Sequence, residues 1–340
     1  MNLLHIINKN MKNIAIVAGG NSSEYEISLK SASQIMSAVD RQKFNPFLVI
    51  IKGSKWIVKQ EHKHEIDIDK NDFSFTENGS KTNFDCAYVT IHGTPGEDGK
   101  LQGYFEMIRL PYSTCDVLTS ALSFNKFACK SYLATAGICM PKGIQILKGE
   151  KIDADDVIKN LGLPVFVKPN EGGSSFGISK VKSANDLQTA VDEAFEEDKS
   201  VIVEEFIEGR ELTCGMIKIG ETTMLFPVTE IITQNDFFDY DAKYNGQSQE
   251  ITPAKISEEA THLVHDISSL IYNKMRCKGL VRIDYIYSRG KLYFLEINIA
   301  PGMTAQSLVP QQIQAAGETL TNVITMQIED LLGNNSAKIY

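Results

Sequence analysis

Two alternating segments near the C-terminus combine carboxylates, an amide and a guanidinium, groups that bind metal ions and anions. Arg282 and Asp284 alternate with apolar residues in the first segment, and in a strand they share one face. Glu296 and Asn298 alternate in the same way in the second segment. If the strands pair as a hairpin, three oxygen ligands of the kind that Mg²⁺ prefers converge beside the guanidinium. The alternative is a hairpin with an ordinary polar face; the loop Pro301–Thr304 directly after it favours a site.

A glycine-rich loop follows Lys168, which ends an apolar run. The loop, residues 170–177, contains three glycines and two serines, whose unhindered N–H groups can wrap phosphate oxygens. It has neither the spacing of a Walker A loop nor the GxGxxG of dinucleotide sites, which argues against a dinucleotide-dependent dehydrogenase. An ordinary surface turn is the alternative, and a lysine at the end of an apolar strand favours phosphate binding.

A second loop, residues 92–99, holds three glycines and a proline between a strand-like and a helical run. A parallel sheet holds its ligands at such strand ends, so this loop is predicted to bind substrate. The alternative is a tight turn that places Glu97 and Asp98 in the first turn of the following helix.

A third segment, Thr233–Thr252, is polar and aromatic without a clear period. A structureless stretch of this length in a compact domain is usually a lid or disordered. Four aromatic residues favour a lid that packs down: Phe237, Phe238, Tyr240 and Tyr244.

The elements that position these loops differ between the two halves of the chain. Toward the N-terminus, predicted strands (13–18, 47–51, 86–92) alternate with predicted helices (27–39, 101–108), which is typical of a doubly wound parallel sheet. Farther on, a helix at 124–136 precedes strands at 163–167 and 201–207 that flank a helix at 186–195.

After residue 210 the strand signals are closely spaced and are interrupted by one long helix. The predicted strands are 212–219, 224–232, 280–287 and 292–297, the long helix is 258–276, and helices at 309–316 and 320–332 follow. This close spacing of strands predicts an antiparallel α+β layer. We therefore expect three domains, 1–114, 115–204 and 205–340.

Composition restricts the class of protein. The 340 residues carry a formal net charge of −9, which disfavours nucleic acid as a partner. No apolar run reaches the roughly 20 residues of a membrane span, and Met1–Lys12 is too short and too polar for a secretory signal. Six scattered cysteines without a CxxC pair indicate reduced thiols and no zinc site. The expected location is the cytoplasm.

Five segments together resemble the D-alanine–D-alanine ligases of the ATP-grasp superfamily, over nearly the whole chain from about Asn13. The segments, in family order, are GGNSSEYEIS (19–28), HGTPGEDGKLQG (92–103), LPVFVKPNEGGSSFG (163–177), DYDAKY (239–244) and RIDYIYSRGKLYFLEINIAPG (282–302). The match at 92–103 argues against other carboxylate–amine ligases of the superfamily, because that segment lies on the substrate side. A regulatory protein with an inactive site is disfavoured because all four polar residues of the C-terminal segments are present.

The resemblance implies an α/β ATP-grasp fold, with an N-terminal doubly wound parallel-sheet domain and two α+β subdomains that sandwich ATP. It implies an enzyme that joins two D-alanines into D-alanyl-D-alanine through a D-alanyl phosphate, releasing ADP and phosphate, for peptidoglycan precursor synthesis. It further implies two Mg²⁺ ions, or Mn²⁺ in their place, and a homodimer.

The resemblance also assigns residues on the nucleotide side. The expected ATP contacts are Lys126, Lys168 and Ser174 near the phosphates, Glu204, Glu205, Phe206 and Ile207 at the adenine, Glu211 at the ribose, and Lys243 of the lid at the γ-phosphate. The expected metal ligands are Asp284, Glu296 and Asn298. Glu205 replaces a lysine that many members carry, and Tyr285 and Ile299 replace an aliphatic residue and a Ser or Thr.

On the substrate side, Glu24 is expected to bind the ammonium of the first D-alanine, next to His92 and in a hydrogen-bonded set with Ser174 and Tyr244. The guanidinium of Arg282 and the N–H of Gly302 are expected to stabilise the oxyanion, and Ser307 and Leu308 to receive the second carboxylate. In this family a tyrosine at the position of Tyr244 accompanies an amine as second substrate, so the resemblance favours a dipeptide product. The proton acceptor for that amine stays open between Ser174 and the leaving phosphate.

Overall fold

The computed structural model describes residues 11–60, 64–173, 177–233 and 248–333. Its first sheet has the strand order β6-β5-β4-β3-β2-β1-β7. The strands are β1 (Lys12–Gly19), β2 (Phe44–Lys52), β3 (Lys55–Lys59), β4 (Glu65–Asp69), β5 (Ser74–Glu77), β6 (Ser80–Thr82) and β7 (Cys86–Val89). Helices α1 (Tyr25–Ala38) and α2 (Lys100–Met107) belong to this part of the chain.

The expected parallel pairing holds for three strands of this sheet: β1 pairs in parallel with β2 and with β7. The strands from β2 to β6 instead form an antiparallel meander, of which the sequence predicted only β2. Strands β3 to β6 have three to five residues each and include many polar ones, so their period is weak. The turn Asn78-Gly79, with both φ angles positive, joins β5 to β6 and is a typical hairpin signal.

Strand β1 is buried on both faces. Ile14 and Ile16 pack into one hydrophobic cluster, while Ala15 and Val17 pack into the cluster on the other side of the sheet. The first cluster includes Val323 and Ile328 from the C-terminal helix. The last helix of the chain therefore shares a core with the N-terminal sheet, and this core fixes the 92–99 loop relative to the C-terminal part.

The second sheet is antiparallel, with the order β10-β9-β11-β8. Its elements are β8 (Gly143–Leu147), α5 (Ala154–Leu161), β9 (Val165–Pro169), β10 (Ser179–Val181), α6 (Leu187–Glu197) and β11 (Ser200–Glu205), and they follow α3 (Val117–Phe124) and α4 (Lys126–Ala134). The helix predicted over 124–136 is found as α4, whereas α3, which ends at Phe124, was not predicted. Asn125 separates them because its side chain accepts a hydrogen bond from the N–H of Ala128 and so begins α4.

The third sheet is also antiparallel, with the order β15-β14-β12-β16-β17, and β13 pairs with β12. Its elements are β12 (Arg210–Ile219), β13 (Thr222–Leu225), β14 (Thr229–Thr233), β15 (Ser248–Ile251), α7 (Glu258–Lys274), β16 (Val281–Ser288) and β17 (Lys291–Asn298). Helices α8 (Leu308–Ala315) and α9 (Leu320–Gly333) end the described chain. Within the described ranges, no helix is long and apolar enough to cross a membrane. The proposed domain boundaries stay a prediction.

Candidate active site

The hairpin expected at the C-terminal segments is formed by β16 and β17. Arg282 lies opposite Asn298, and Asp284 lies opposite Glu296, with a register shift directly after Asp284. The alternation in each strand therefore places all four polar side chains on one face, as the sequence predicted.

Asp284 is buried and its carboxylate accepts four hydrogen bonds. Oδ1 accepts from Thr213 Oγ1 at 2.6 Å and from Arg282 Nε at 2.9 Å. Oδ2 accepts from Arg282 Nη2 at 2.8 Å and from Asn298 Nδ2 at 3.0 Å. The bidentate contact with Asp284 fixes the plane and direction of the Arg282 guanidinium.

The donor set of this hairpin fits a hard divalent cation. It offers the carboxylates of Asp284 and Glu296 and the amide of Asn298, and Mg²⁺ and Mn²⁺ take such oxygen ligands, commonly alongside substrate phosphates. In the part of the chain that the structure describes, no group of three or more His, Cys, Asp or Glu side chains could hold a metal. A cation here would therefore depend on the amide and on ligands from a bound substrate.

A small cavity of about 130 Å³ lies beside the hairpin. Most of the substrate-side residues that the resemblance assigned line it. They are Glu24, His92, Arg282, Gly302, Ser307 and Leu308. Lys126, Glu296 and Asn298, which the resemblance assigned to ATP and the metal, line the cavity as well. Two carboxylates that sequence reasoning did not assign, Glu97 and Glu250, also line this cavity.

A large cavity of about 530 Å³ lies between the second and third sheets. Its lining includes the nucleotide-side residues expected from the resemblance. They are Lys126, Lys168, Glu204, Glu205, Phe206, Ile207 and Glu211, together with Arg282, Asp284 and Glu296 of the hairpin. Its wall is more apolar than that of the small cavity, with Phe166, Ile178 and Ile286 among its residues.

The two cavities share Lys126, Arg282 and Glu296. Lys126 Nζ donates a hydrogen bond of 2.7 Å to the carbonyl oxygen of Gly172 and lies 3.8 Å from Glu296 Oε2. The lysine thereby connects the glycine-rich loop to the hairpin. Groups bound in the two cavities would meet at this junction of two cations and one carboxylate.

The described part of the glycine-rich loop approaches Glu24 at Gly173. A Cβ on Gly173 would lie 2.9 Å from Glu24 Oε2, so glycine allows this close approach without displacing the carboxylate. Ser174, Lys243, Tyr244 and most of the predicted lid lie outside the described residues, as do residues 1–10.

His92 is buried in the wall of the small cavity. Burial lowers its pKa, while the neighbouring Glu24 carboxylate favours the protonated ring and the Arg282 guanidinium disfavours it. Ser31 Oγ lies 3.4 Å from His92 Nε2. The predicted placement of His92 beside Glu24 is therefore found in the structure.

Glu97 does not lie in the first turn of α2, which was the alternative interpretation, because that helix begins at Lys100. Instead its Oε2 accepts a hydrogen bond of 2.6 Å from the N–H of Gly93. A backbone hydrogen bond from Ala300 also reaches its carboxylate. Glu97 therefore connects the 92–99 loop to the loop after β17, and burial, with Glu24 nearby, raises its pKa to about 8.

This pKa predicts a pH-dependent stability for the ligand-free protein. The unfolded chain releases the Glu97 proton near pH 4.5, whereas the folded protein keeps it up to about pH 8. Stability therefore falls as the pH rises through this window, by about 2 kcal/mol between pH 6 and 8. In urea unfolding at both pH values, Glu97→Gln should flatten this dependence and the exposed control Glu106→Gln should not. Equal slopes in wild type and Glu97→Gln would contradict the assignment.

Lys130 is a buried cation that sequence reasoning missed. It pairs with Glu204 Oε1, while Lys168 Nζ lies 2.6 Å from Glu204 Oε2. Burial opposes the charge on Glu204, and the two ammonium groups outweigh it and lower the pKa of that carboxyl. Burial lowers the pKa of Lys130 to about 8. Lys130 follows Lys126 by one helical turn, and this spacing is the sequence signal that could have placed it near the same site.

Arg210 and Glu230 join β12 to β14, the strand that ends where the lid segment begins. Nε and Nη2 of Arg210 each donate a 2.6 Å hydrogen bond to Glu230, and Nη2 also donates to the carbonyl of Lys255. Both residues line the large cavity. The bidentate pair therefore holds β14, which leads into the predicted lid segment, against β12, the strand that carries Glu211.

The resemblance implies ATP in the large cavity, so we expect Arg210→Met to raise the KM for ATP about fivefold, the equivalent of about 1 kcal/mol, with kcat changed less than twofold. Arg210 is partly exposed, but Glu230 is buried and would lose its partner, so the unfolding free energy should fall by about 2 kcal/mol. Lys218→Met, on the same strand with an exposed partner 4.0 Å away, is the matched control. Exchanging the charges in Arg210→Glu/Glu230→Arg should recover the KM. The same KM for Arg210→Met and the control would refute a role for this pair.

Comparisons with known proteins indicate the family to which this chain belongs. The D-ala D-ala ligase N-terminus family matches residues 13–115, and the D-ala D-ala ligase C-terminus family matches residues 132–329. The D-alanine--D-alanine ligase of Parabacteroides distasonis is 53% identical over 328 residues, covering 96% of this chain and 99% of the relative. The relative named likewise from Bacteroides fragilis is 49% identical over 320 residues, covering 94% of this chain and 99% of the relative.

Solved structures agree with these sequence matches and confirm the expected ATP-grasp fold. The VanG D-Ala:D-Ser ligase of Enterococcus faecalis has a TM-score of 0.84 at 32% identity, covering 94% of this chain and 99% of that one. The D-alanine--D-alanine ligase of Bacillus anthracis complexed with ATP has a TM-score of 0.78 at 27% identity, covering 96% and 99%. The chain therefore belongs to the D-alanine–D-alanine ligase family.

Proposed function

We propose that this protein joins two D-alanine molecules into D-alanyl-D-alanine, with ATP converted to ADP and phosphate. The junction of the two cavities at Lys126, Arg282 and Glu296 carries this proposal. The large cavity has room and an apolar wall for a nucleotide, and the small one suits a charged amino acid. A nucleotide bound in the large cavity with its phosphates toward Lys126 would place its terminal phosphate at this junction, and that is the group that such a reaction transfers.

ATP is proposed to bind in the large cavity with its base against the strand end at 204–207. Glu211 would accept hydrogen bonds from the ribose hydroxyls, and Lys126 and Lys168 would contact the phosphates. Lys168 is held by Glu204 in the structure, so contact with a phosphate requires it to leave or share that carboxylate. Ser174 and Lys243 are proposed to complete the phosphate contacts.

The first D-alanine is proposed to place its ammonium at Glu24, beside His92. One carboxylate oxygen then attacks the γ-phosphorus of ATP, the bond to the β,γ-bridging oxygen breaks, and ADP leaves. The product, a D-alanyl phosphate, has a carbonyl carbon that an amine can attack. Lys126 and Arg282 at the junction stabilise the negative charge that gathers on the transferred phosphoryl group.

The second D-alanine is proposed to place its carboxylate at the N-terminus of α8, where Ser307 makes no capping hydrogen bond to the helix. Its ammonium gives up a proton to Ser174 or to the departing phosphate, the resulting amine attacks the acyl carbon, and the oxyanion is stabilised by Arg282 and the N–H of Gly302. A Cβ on Gly302 would lie 2.9 Å from Ser307 Oγ, so glycine allows this close packing. Phosphate then leaves and the peptide bond remains. Tyr244 and Ser174 are proposed to act with Glu24 in this site.

Two Mg²⁺ ions, or Mn²⁺, are proposed to be held by Asp284, Glu296 and Asn298 together with ATP. When bound, such ions neutralise the phosphates that approach the carboxylate. The protein supplies the fixed carboxylates, since Asp284 is held by Thr213 from the adjacent strand.

A homodimer in the cytoplasm is the proposed state of the protein. Met107 and Leu118 support an interface, because they are 79% and 73% exposed on neighbouring helices. All six cysteines are free, which suits a reducing compartment. Sedimentation velocity would distinguish the dimer from a monomer.

The function is tested by identifying products by mass after incubation with ATP and Mg²⁺. D-alanine alone should yield D-alanyl-D-alanine, one ADP and one phosphate per peptide, and L-alanine should yield none of these. Further arms with D-alanine plus D-serine or D-lactate test the second position, since one relative is a D-Ala:D-Ser ligase. No phosphate release with D-alanine would refute the proposal.

A further inference from the structure

Glu250 lines the small cavity and lies on strand β15, within the last residues of the predicted lid segment 233–252. Its Oε2 accepts a hydrogen bond of 2.7 Å from Nε2 of Gln311. Gln311 lies in α8, one turn beyond Ser307 and Leu308, and also donates to the carbonyl of Gln306. The carboxylate of Glu250 is thereby held close to the N-terminal turn of α8.

The small cavity is lined by four glutamates, and three of them already have a binding or structural role. Glu24 is proposed to bind the first ammonium, and Glu296 belongs to the proposed metal site. Glu97 is bonded to the backbone of the 92–99 loop. Glu250 is the glutamate that is hydrogen-bonded to α8. Burial raises the pKa of its carboxyl, while the hydrogen bond from Gln311 and the Arg282 guanidinium favour the anionic form.

The chemistry of the second substrate calls for an anion at this position. An amino acid whose carboxylate lies at the N-terminus of α8 has its ammonium one carbon away. That ammonium enters a cavity that already contains the positive charge of Arg282. A carboxylate beside α8 offsets this repulsion and accepts a hydrogen bond from the ammonium, whereas a hydroxy acid gains nothing from it.

We propose that Glu250 is a specificity-determining residue that binds the ammonium of the second amino acid and favours amino acids over hydroxy acids there. The inference rests on the proposed function, because it assigns a residue to the second position of the same site. Glu250 acts by direct contact with substrate, and Gln311 positions it.

The test is the product ratio of Glu250→Gln at fixed, equal concentrations of D-alanine and D-lactate. Removing the charge should raise the ratio of the D-alanyl-D-lactate ester to the dipeptide about tenfold. The KM for D-alanine at the second position should rise by a similar factor, while the KM for ATP and the KM at the first position should change less than twofold. Glu250→Asp, which keeps the charge, should stay within threefold of wild type.

Glu318→Gln is the matched control, because that carboxylate also accepts a hydrogen bond from an amide, Asn322, away from the cavity. It should reproduce the wild-type ratio. An unchanged ratio in Glu250→Gln, with or without a loss of kcat, would overturn the assignment, because Glu250 would then support only the fold. If the wild type itself made no dipeptide, the proposed function would fail instead, so the two failures are distinguishable.

Discussion

Replacing Arg282 by methionine should lower kcat about a thousandfold, with the far-ultraviolet circular dichroism spectrum retained. We expect this effect because the guanidinium lines both cavities and is held in one plane by its bidentate contact with Asp284. Loss of one preorganised oxyanion donor typically costs about 10²–10³ in rate, and here the donor would also serve the phosphoryl transfer. Steady-state kinetics with saturating ATP and D-alanine would measure the effect.

Arg282→Lys separates charge from geometry. Lysine keeps the positive charge and loses the planar fork, so we expect a loss of about a hundredfold. Arg41→Met, at an exposed arginine far from both cavities, should retain full activity. If Arg282→Met kept more than a tenth of the wild-type kcat, Arg282 would not be the residue that stabilises charge in the reaction.

Replacing Lys130 by methionine should destabilise the protein by about 3 kcal/mol. Glu204 would stay buried with Lys168 as its remaining lysine partner, and breaking a buried ion pair costs about 3–5 kcal/mol. Lys168 would also be held more firmly by Glu204, so the KM for ATP should rise about tenfold. Urea unfolding and initial-rate kinetics would measure the two effects.

The control for this variant is Lys55→Met, which breaks an exposed pair with Glu65 and should cost less than about 1 kcal/mol. The triple variant Lys130→Met/Glu204→Met/Lys168→Met should regain much of the stability, because no unpaired charge of this cluster is then buried. Equal unfolding free energies for Lys130→Met and Lys55→Met would show that the buried lysine contributes no more than a surface one.

Local sequence patterns were sufficient for the hairpin at the centre of the site. Arg282 and Asp284 are two residues apart, as are Glu296 and Asn298, so strand alternation alone predicts their shared face. The partners of these residues from other strands were not predictable in the same way. Thr213, which donates a hydrogen bond to Asp284, lies 71 positions away in the sequence.

The charges that sequence reasoning missed are those whose partners are distant in the chain. Lys130 and Glu204 are 74 residues apart, and nothing local marks either as buried. Glu250 and Gln311 meet across 61 residues, at the edge of a segment without a periodic pattern. Glu97 is a different case, because a place in the following helix was only the alternative interpretation of its loop and its carboxylate accepts a hydrogen bond from the backbone of that same loop.

The arrangement of the three sheets was predictable only in part. Apolar strand runs indicated β1, β2 and β7, but the polar strands of the β3–β6 meander carry little hydrophobic signal. The packing of α9 on the N-terminal sheet places Val323 and Ile328 in the same hydrophobic cluster as Ile14 and Ile16, about 300 residues away in the sequence. Such contacts follow from the tertiary fold and not from any local period.

The central claim is that an acyl phosphate forms where the two cavities meet, and isotope transfer tests it most directly. D-alanine labelled with ¹⁸O in its carboxylate would be incubated with ATP and Mg²⁺, and the released phosphate analysed by mass. Transfer of the γ-phosphoryl group to a carboxylate oxygen predicts one ¹⁸O in the phosphate for each D-alanyl-D-alanine formed. Dipeptide accompanied by unlabelled phosphate would contradict the account.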